Sequence, residues 1–178
     1  MRIAICGKMC SGKTSLANMI QRMDSRYKII SLGSKVKDIG VNLFNMKYKD
    51  RELLISIGTK MREIDNDIWI KYLLKDNQHE DYLIIDDLRY QNEYNYLIQE
   101  GFQIIQLHIS KDTQQERLIK LYPNNYREHL KYIDHESEKN IFQWNINHKP
   151  ILEISEYSDY HKIQQQIFAL LQKKENNH

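Results

Sequence analysis

Short apolar runs and stretches with helical spacing alternate along the chain. Ile3-Ala4-Ile5-Cys6 is apolar, breaks at Gly7, and is followed by Ser15 to Ile20, whose apolar positions suit a helix fading near Met23-Asp24. Tyr27 to Leu32 is β-branched and aromatic and predicts a second strand ending at Gly33. Ser34 can then cap a helix carrying Val36, Ile39, Leu43 and Phe44, ending near Asn45. Two more helical patterns follow, Asp50 to about Glu63 and one from Asp65 or Asn66 through Ile68, Trp69, Tyr72 and Leu73, so a long helical insert separates two strands. Tyr82-Leu83-Ile84-Ile85, closed by Asp86-Asp87, has the unbroken apolar character of a central parallel strand buried on both faces. Tyr90 to Glu100 predicts a helix stopped by Gly101, and Phe102 to Ile109 a further strand. Asp112 caps a helix over Gln114 to Tyr122, which Pro123-Asn124-Asn125 breaks. After a polar, charge-mixed stretch, Phe142 to Asn147 alternates as a short strand, and a closing amphipathic helix runs from Ile154 or Tyr157 to Leu171, with Ile163, Ile167, Leu170 and Leu171 inward. The expectation is an α/β fold of three layers, a mainly parallel five-stranded sheet flanked by helices. Ligands would sit at the carboxyl ends of its strands, where Gly7 to Thr14, Asp86-Asp87 and Asn147 would meet.

The first break in that pattern carries the chemistry. Gly7-Lys8-Met9-Cys10-Ser11-Gly12-Lys13-Thr14 fits G-x-x-x-x-G-K-[ST] without departure and stands between a strand and a helix. The glycines release the backbone so that N–H groups converge on phosphate oxygens. Lys13 can span the β- and γ-phosphates, and Thr14 can offer a hydroxyl to Mg²⁺. An ordinary Gly/Ser turn would need neither the Lys-Thr pair nor the apolar strand before it.

At the end of the apolar strand, Asp86 and Asp87 bring carboxylates to the same edge, and at least one is expected to hold Mg²⁺ beside Thr14. Arg89 follows, suited to bind phosphate with two donors and to neutralise a transferring phosphoryl group. The bland alternative is a surface pair with Glu93 worth a few tenths of a kcal/mol.

With 178 residues the chain suits one domain, residues 1–178, in which an acceptor-binding helical insert covers about 34–80 and a short lid about 112–140. A formal net charge of +2 gives no global field for nucleic acid, so no stable nucleic-acid partner is expected. Cys6 and Cys10 form no zinc pattern and point to a reducing compartment. The apolar start is too short for a signal peptide and no run approaches a membrane span, which predicts a cytoplasmic protein without a membrane partner.

Taken together, several stretches resemble the deoxynucleoside monophosphate kinases of large viruses and phages, within the P-loop nucleoside monophosphate kinase superfamily. They are the phosphate loop, Ser31-Leu32-Gly33 to Lys37, Ile57-Gly58-Thr59-Lys60-Met61-Arg62 with Asp67-Ile68-Trp69, Asp87-Leu88-Arg89 with Asn92-Glu93, His135-Glu136-Ser137-Glu138, and Ile146-Asn147. The resemblance implies ATP- and Mg²⁺-dependent phosphorylation of a deoxynucleoside monophosphate, hence a role in nucleotide synthesis, in host cytoplasm if the source is viral. It gives Lys13, Arg62, Asp87 and Arg89 catalytic roles, and puts Lys37, Arg62, Trp69, Arg89 and Glu93 on the acceptor side. Gly7 to Thr14 and Asn147 fall on the ATP side, and Thr14 and Asp87, rather than Asp86, at the metal. Tyr90 matches the family's aromatic residue after the arginine, whereas only Gly33-Ser34 represents its small-residue-rich entry to the second helix.

Between Pro123 and Asp134 no lid residue matches the family. Arg117, Lys120, Arg127 and Lys131 nevertheless surround a helix and a polar break, the arrangement of a flap that brings cations to phosphates, and Arg117 and Arg127 are the lid candidates. A solvated helix face explains any one of them equally well. His135 to Glu138 reads as a helix cap or lid hinge more readily than as a metal set, and Trp69 serves a core as well as a base.

No protein general base is needed, because a phosphate acceptor is already ionised. Three rivals remain: a kinase of a ribonucleotide or a non-nucleotide phosphate, a nucleotide-dependent switch, and a nucleic-acid motor. The switch lacks Asn-Lys-x-Asp and Asp-x-x-Gly stretches, and the motor lacks length and basic surface. Partners are therefore small nucleotides, with a homodimer left open.

Overall fold

The computed structural model describes residues 1–135, 138, 141, 148–156 and 158–175. The chain divides into two compact units, one of residues 1–29 and 81–178, the other of residues 30–80.

In the larger unit, β1 (Ile3–Gly7) is flanked in the sheet by β3 (Leu83–Leu88) and β4 (Gln103–His108); β2 (Lys28–Ile30) and β5 (Leu152–Ser155) are the outer strands, giving the order β2-β3-β1-β4-β5. β1 pairs in parallel with β3 and β4, and β4 in parallel with β5. β1 is buried along its whole length, as its unbroken apolar run requires. Among the described residues this unit also holds helices α1 (Lys13–Met23), α5 (Gln91–Gln99), α6 (Lys111–Leu121), α7 (Tyr126–Leu130) and α8 (Tyr160–Glu175). Ile3, Ile5, Leu16, Ile20, Ile84 and Ile167 form part of its core, with Ile163, Leu170 and Leu171 packed against it. The expected inward face of the closing helix is thus present.

Its start is not where the spacing predicts. Leu152 to Ser155 pair with Ile105 to His108, so Ile154 belongs to a strand, and the helix begins at Tyr160. The alternating segment read as the fifth strand, 142–147, lies outside the described residues. Elsewhere shifts are small: Ser110 rather than Asp112 caps α6, its hydroxyl accepting from Thr113 N–H at 3.2 Å. Asp112 falls in the first turn, where a carboxylate favours the helix dipole.

The smaller unit packs three helices, α2 (Leu32–Phe44), α3 (Arg51–Ile64) and α4 (Ile68–Asp76). Asp50 caps α3 by accepting from Leu53 N–H at 3.0 Å, and α2 ends at Asn45, whose φ of 54° is left-handed. α2 begins two residues ahead of Ser34, with Ser31 at its N-cap.

Candidate active site

The loop between β1 and α1 is shaped for anions by its backbone. Gly12 has φ 101° and Cys10 φ 64°, and such left-handed residues turn successive N–H groups toward one side, the geometry of an anion nest. Gly7 is required for space: a Cβ there would lie 2.7 Å from Ser11 Oγ and 2.8 Å from Leu107 O. Ser11 Oγ is itself buried and has no hydrogen-bond partner among the described residues. A hydroxyl left in that state inside a concave loop fits a phosphate oxygen.

Lys13 begins α1 and is 8% exposed. Its Nζ donates to Gly7 O and to Lys8 O, each at 2.7 Å. An ammonium has three protons, so one remains for a ligand. Burial first, and the Arg89 charge second, push the Lys13 pKa down to about 7. Burial also pushes the Cys6 thiol up to about 12, so this cysteine is an inert core residue.

Thr14 Oγ1 donates to Asp86 Oδ2 at 2.7 Å. Where the resemblance favours Asp87 at the metal, it is therefore Asp86 that meets Thr14. Burial raises the Asp86 pKa, opposed by the Thr14 hydrogen bond and reinforced by Asp87. A hydroxyl touching a carboxylate, with a second carboxylate next in sequence, is an oxygen set that suits Mg²⁺. Among the described residues no three His, Cys, Asp or Glu side chains converge as a metal group. Thr14 and water would complete any Mg²⁺ shell.

Arg89 follows β3, and its turn is fixed by Glu93. The Glu93 carboxylate, 2% exposed, accepts the backbone N–H groups of Arg89 and Tyr90, each at 3.1 Å. Glu93, expected on the acceptor side, thus spends one oxygen on the start of α5. The guanidinium of Arg89 pairs instead with Glu138, whose other oxygen accepts Met9 N–H at 2.6 Å. Burial works against the Arg89 charge, but Glu138 and Asp87 outweigh it, and its pKa rises above the ordinary value. Glu138 carries no signal in sequence beyond its place in the His135 to Glu138 stretch, because its partners lie 49 and 129 residues away. Glu136 and Ser137 of that stretch, and Asn147, lie outside the described residues.

Of the lid candidates, Arg117 Nη1 donates to Cys10 O at 3.2 Å and so touches the phosphate loop. Arg127 is exposed and lies 5.9 Å from the Tyr126 ring. Leu118 and Ile133 cluster with the Met9 side chain, with Tyr122 and Tyr126 packed against them, so the region after β4 is built onto the loop.

The remaining candidates belong to the smaller unit. Arg62 is in the last turn of α3, its Nη1 3.2 Å from where a Cβ on Gly58 would be, so Gly58 leaves room for this arginine. Trp69 is 4% exposed, and its indole N–H donates to Gly58 O at 3.2 Å, which accounts for it as a core residue. It also lines a cavity of about 450 Å³ together with Lys35, Ile39, Met61, Ile68 and Tyr72. Lys37 is exposed on α2.

The sequence profile described as the AAA domain matches residues 3–142, a span holding the phosphate loop, Asp86, Arg89 and Glu138. The chain belongs to the AAA domain family. A comparison with curated protein sequences finds no match. Among solved structures, shikimate kinase from Aquifex aeolicus is similar at 15% identity and TM-score 0.53, covering 98% of each chain. A gluconokinase from Sinorhizobium meliloti gives 15% and 0.54, covering 99% of this chain and 94% of its own. The APS kinase of Mycobacterium tuberculosis, in complex with AMPPNP and APS, gives 11% and 0.50, covering 96% and 98%. The fold is that of the P-loop kinases, as the alternation of strands and helices predicts. No helix among the described residues is long and apolar enough to cross a membrane.

Proposed function

We propose that this AAA-domain chain is a kinase that uses MgATP to phosphorylate a deoxynucleoside monophosphate. The observation that carries the kinase reading is the loop itself: a left-handed nest, an orphaned Ser11 hydroxyl, and Lys13 with two protons committed and one to give. Mg²⁺, when bound, would supply charge that neutralises the phosphates. Thr14 and Asp86 would hold it, Lys13 would offset charge on the β- and γ-phosphates, and Arg89 would meet the transferring group. None of these residues is a nucleophile or a base aimed at an acceptor, which suits an acceptor already ionised at neutral pH. The acceptor class rests on the sequence resemblance around Gly58 to Arg62 and on the cavity beside Trp69, whose apolar walls and Lys35 suit a heteroaromatic base. Residues 34–80 would then be the acceptor-binding insert and residues 112–140 the lid.

A second reading, a non-nucleotide acceptor, is favoured by the names of two structural neighbours, a shikimate kinase and a gluconokinase. The deciding experiment follows ADP formation from MgATP with each deoxy- and ribonucleoside monophosphate, and with shikimate, gluconate and APS. A deoxynucleoside monophosphate should give the highest kcat/KM. Turnover confined to the last three compounds would sink the nucleoside monophosphate reading.

A further inference from the structure

We propose that Glu138 is a positioning residue which, through one carboxylate, sets both the phosphate loop and the Arg89 guanidinium for phosphoryl transfer; this rests on the kinase reading above. Its two oxygens are divided. One takes Arg89 Nη1, and the other takes Met9 N–H at 2.6 Å with Gln114 Nε2 at 3.5 Å. The side chain is 4% exposed and Gln114 is wholly buried, so the bonds to Met9 and Gln114 are shielded from bulk water.

A carboxylate in a loop built for anions is of the wrong sign to touch phosphate. Its sign is right for holding an arginine that does. Arg89 spends Nη1 on Glu138 and keeps its other donors, with 29% of its side chain exposed. A guanidinium fixed beforehand loses less rotamer freedom when phosphate arrives. The same carboxylate draws on Met9, whose side chain is clamped by Leu118 and Ile133, while Arg117 holds the carbonyl of the next residue, Cys10. Gln114, Arg117 and Leu118 are one helical turn apart on α6, so one face of that helix and Glu138 together set the outer wall of the loop. Without the carboxylate, Met9 N–H and the Arg89 charge would lose a common partner, and the two halves of the site would become independent.

The test is a double-mutant cycle of Glu138→Gln and Arg89→Gln, with kcat and KM for MgATP, a thermal melt, and the affinities of MgADP alone and of MgADP with aluminium fluoride. Glu138→Gln should lower kcat about ten- to a hundredfold, the cost of misplacing a charged donor, with KM for MgATP within about threefold. It should weaken the aluminium fluoride complex by a like factor and leave MgADP alone nearly unchanged. In the Arg89→Gln background the second substitution should cost clearly less than in the wild type, what remains being its effect through Met9 and the phosphate loop. Equal losses in both backgrounds, an undiminished kcat, or tighter MgATP binding with unchanged kcat would each overturn the proposal, the last marking Glu138 as a simple occupant of the phosphate position. If Glu138→Gln does not fold, Glu138→Asp replaces it: the charge stays, but one methylene fewer prevents both contacts, and the same fall in kcat is expected. Failure of the wild type on every monophosphate would refute the acceptor class instead, while the aluminium fluoride arm still decides Glu138.

Discussion

Binding of MgATP should take up a proton at Lys13. The amine is 8% exposed, and burial with the Arg89 charge holds its pKa at about 7 against an ordinary value near 10.5. Its two carbonyl contacts satisfy the two N–H bonds of a neutral amine as well as two of the three of an ammonium, so the loop tolerates either form. A phosphate restores the charge. With a folded pKa of about 7, the free protein lacks this proton in about a tenth of molecules at pH 6, half at pH 7 and nine-tenths at pH 8. Uptake per bound nucleotide should follow the same series, and affinity should fall about tenfold from pH 6 to pH 8. Titration calorimetry of MgATP in buffers of different ionisation enthalpy reads the uptake, with Lys13→Met as the control that shows none. The sign for stability follows too. The unfolded chain keeps this proton up to about 10.5 and the folded chain releases it at about 7, so this site's contribution to stability rises with pH across that window and is flat below it. Arg89→Gln should raise the midpoint, since the arginine is the second cause of the shift. Proton uptake independent of pH, or equal in Lys13→Met, would refute the reasoning.

Asp86→Asn should raise the Mg²⁺ concentration for half-maximal activity more than Asp87→Asn does, because Asp86 accepts from Thr14; a Mg²⁺ titration giving the reverse order would restore Asp87 to the metal. Arg62→Ala should cut kcat/KM for the monophosphate about ten- to a hundredfold and leave ATP binding alone, as loss of a charged hydrogen bond of about 1.5–3 kcal/mol implies. Arg62→Lys should recover only part of that, and unaltered acceptor kinetics in Arg62→Ala would remove the residue from the site. Trp69→Phe should destabilise the protein by about 1–3 kcal/mol, since Gly58 O loses its donor and the core loses volume; a melt unchanged by the substitution would mean that the indole packs no core.

What sequence made legible was local. The phosphate loop is one contiguous pattern, and the helices of the smaller unit announce themselves through their period, although the cap of α2 falls at Ser31 rather than at Ser34. The choice between Asp86 and Asp87 was not legible, for a reason seen in the register. Ala4 pairs with Ile85 but Cys6 with Leu88, an irregularity of one residue at the aspartate pair. Slipping one residue in a strand exchanges its two faces, so no count along the chain tells which carboxylate meets Thr14. Ile154 suits both a period of two and the start of a helical stripe, and pairing with β4 decides for the strand. Glu93 reads as an acceptor-side residue and Glu138 as part of a helix cap or lid hinge because a buried carboxylate is recognised by its partners, and those of Glu138 lie far away in sequence.

The charge around the loop also bears on why nucleotide would arrive with a metal. Lys13 lies in the field of Asp86, Asp87 and Glu138, Arg89 in that of Asp87 and Glu138, and near pH 7 Lys13 is only half charged. The site's own side chains are therefore no reservoir of positive charge, and a bare polyphosphate gains little from its overall field. What it offers is a division by sign. The loop amides, Lys13 and Arg89 present donors. At the Thr14 end, Asp86 sits partly desolvated with its pKa raised first by burial, a state that a divalent cation relieves. A phosphate chain carrying Mg²⁺ has both signs in the right order, anion toward the nest and cation toward the aspartates. On this reading Mg²⁺ is part of what is recognised, since without it the same carboxylates would repel the ligand that the loop is shaped to hold.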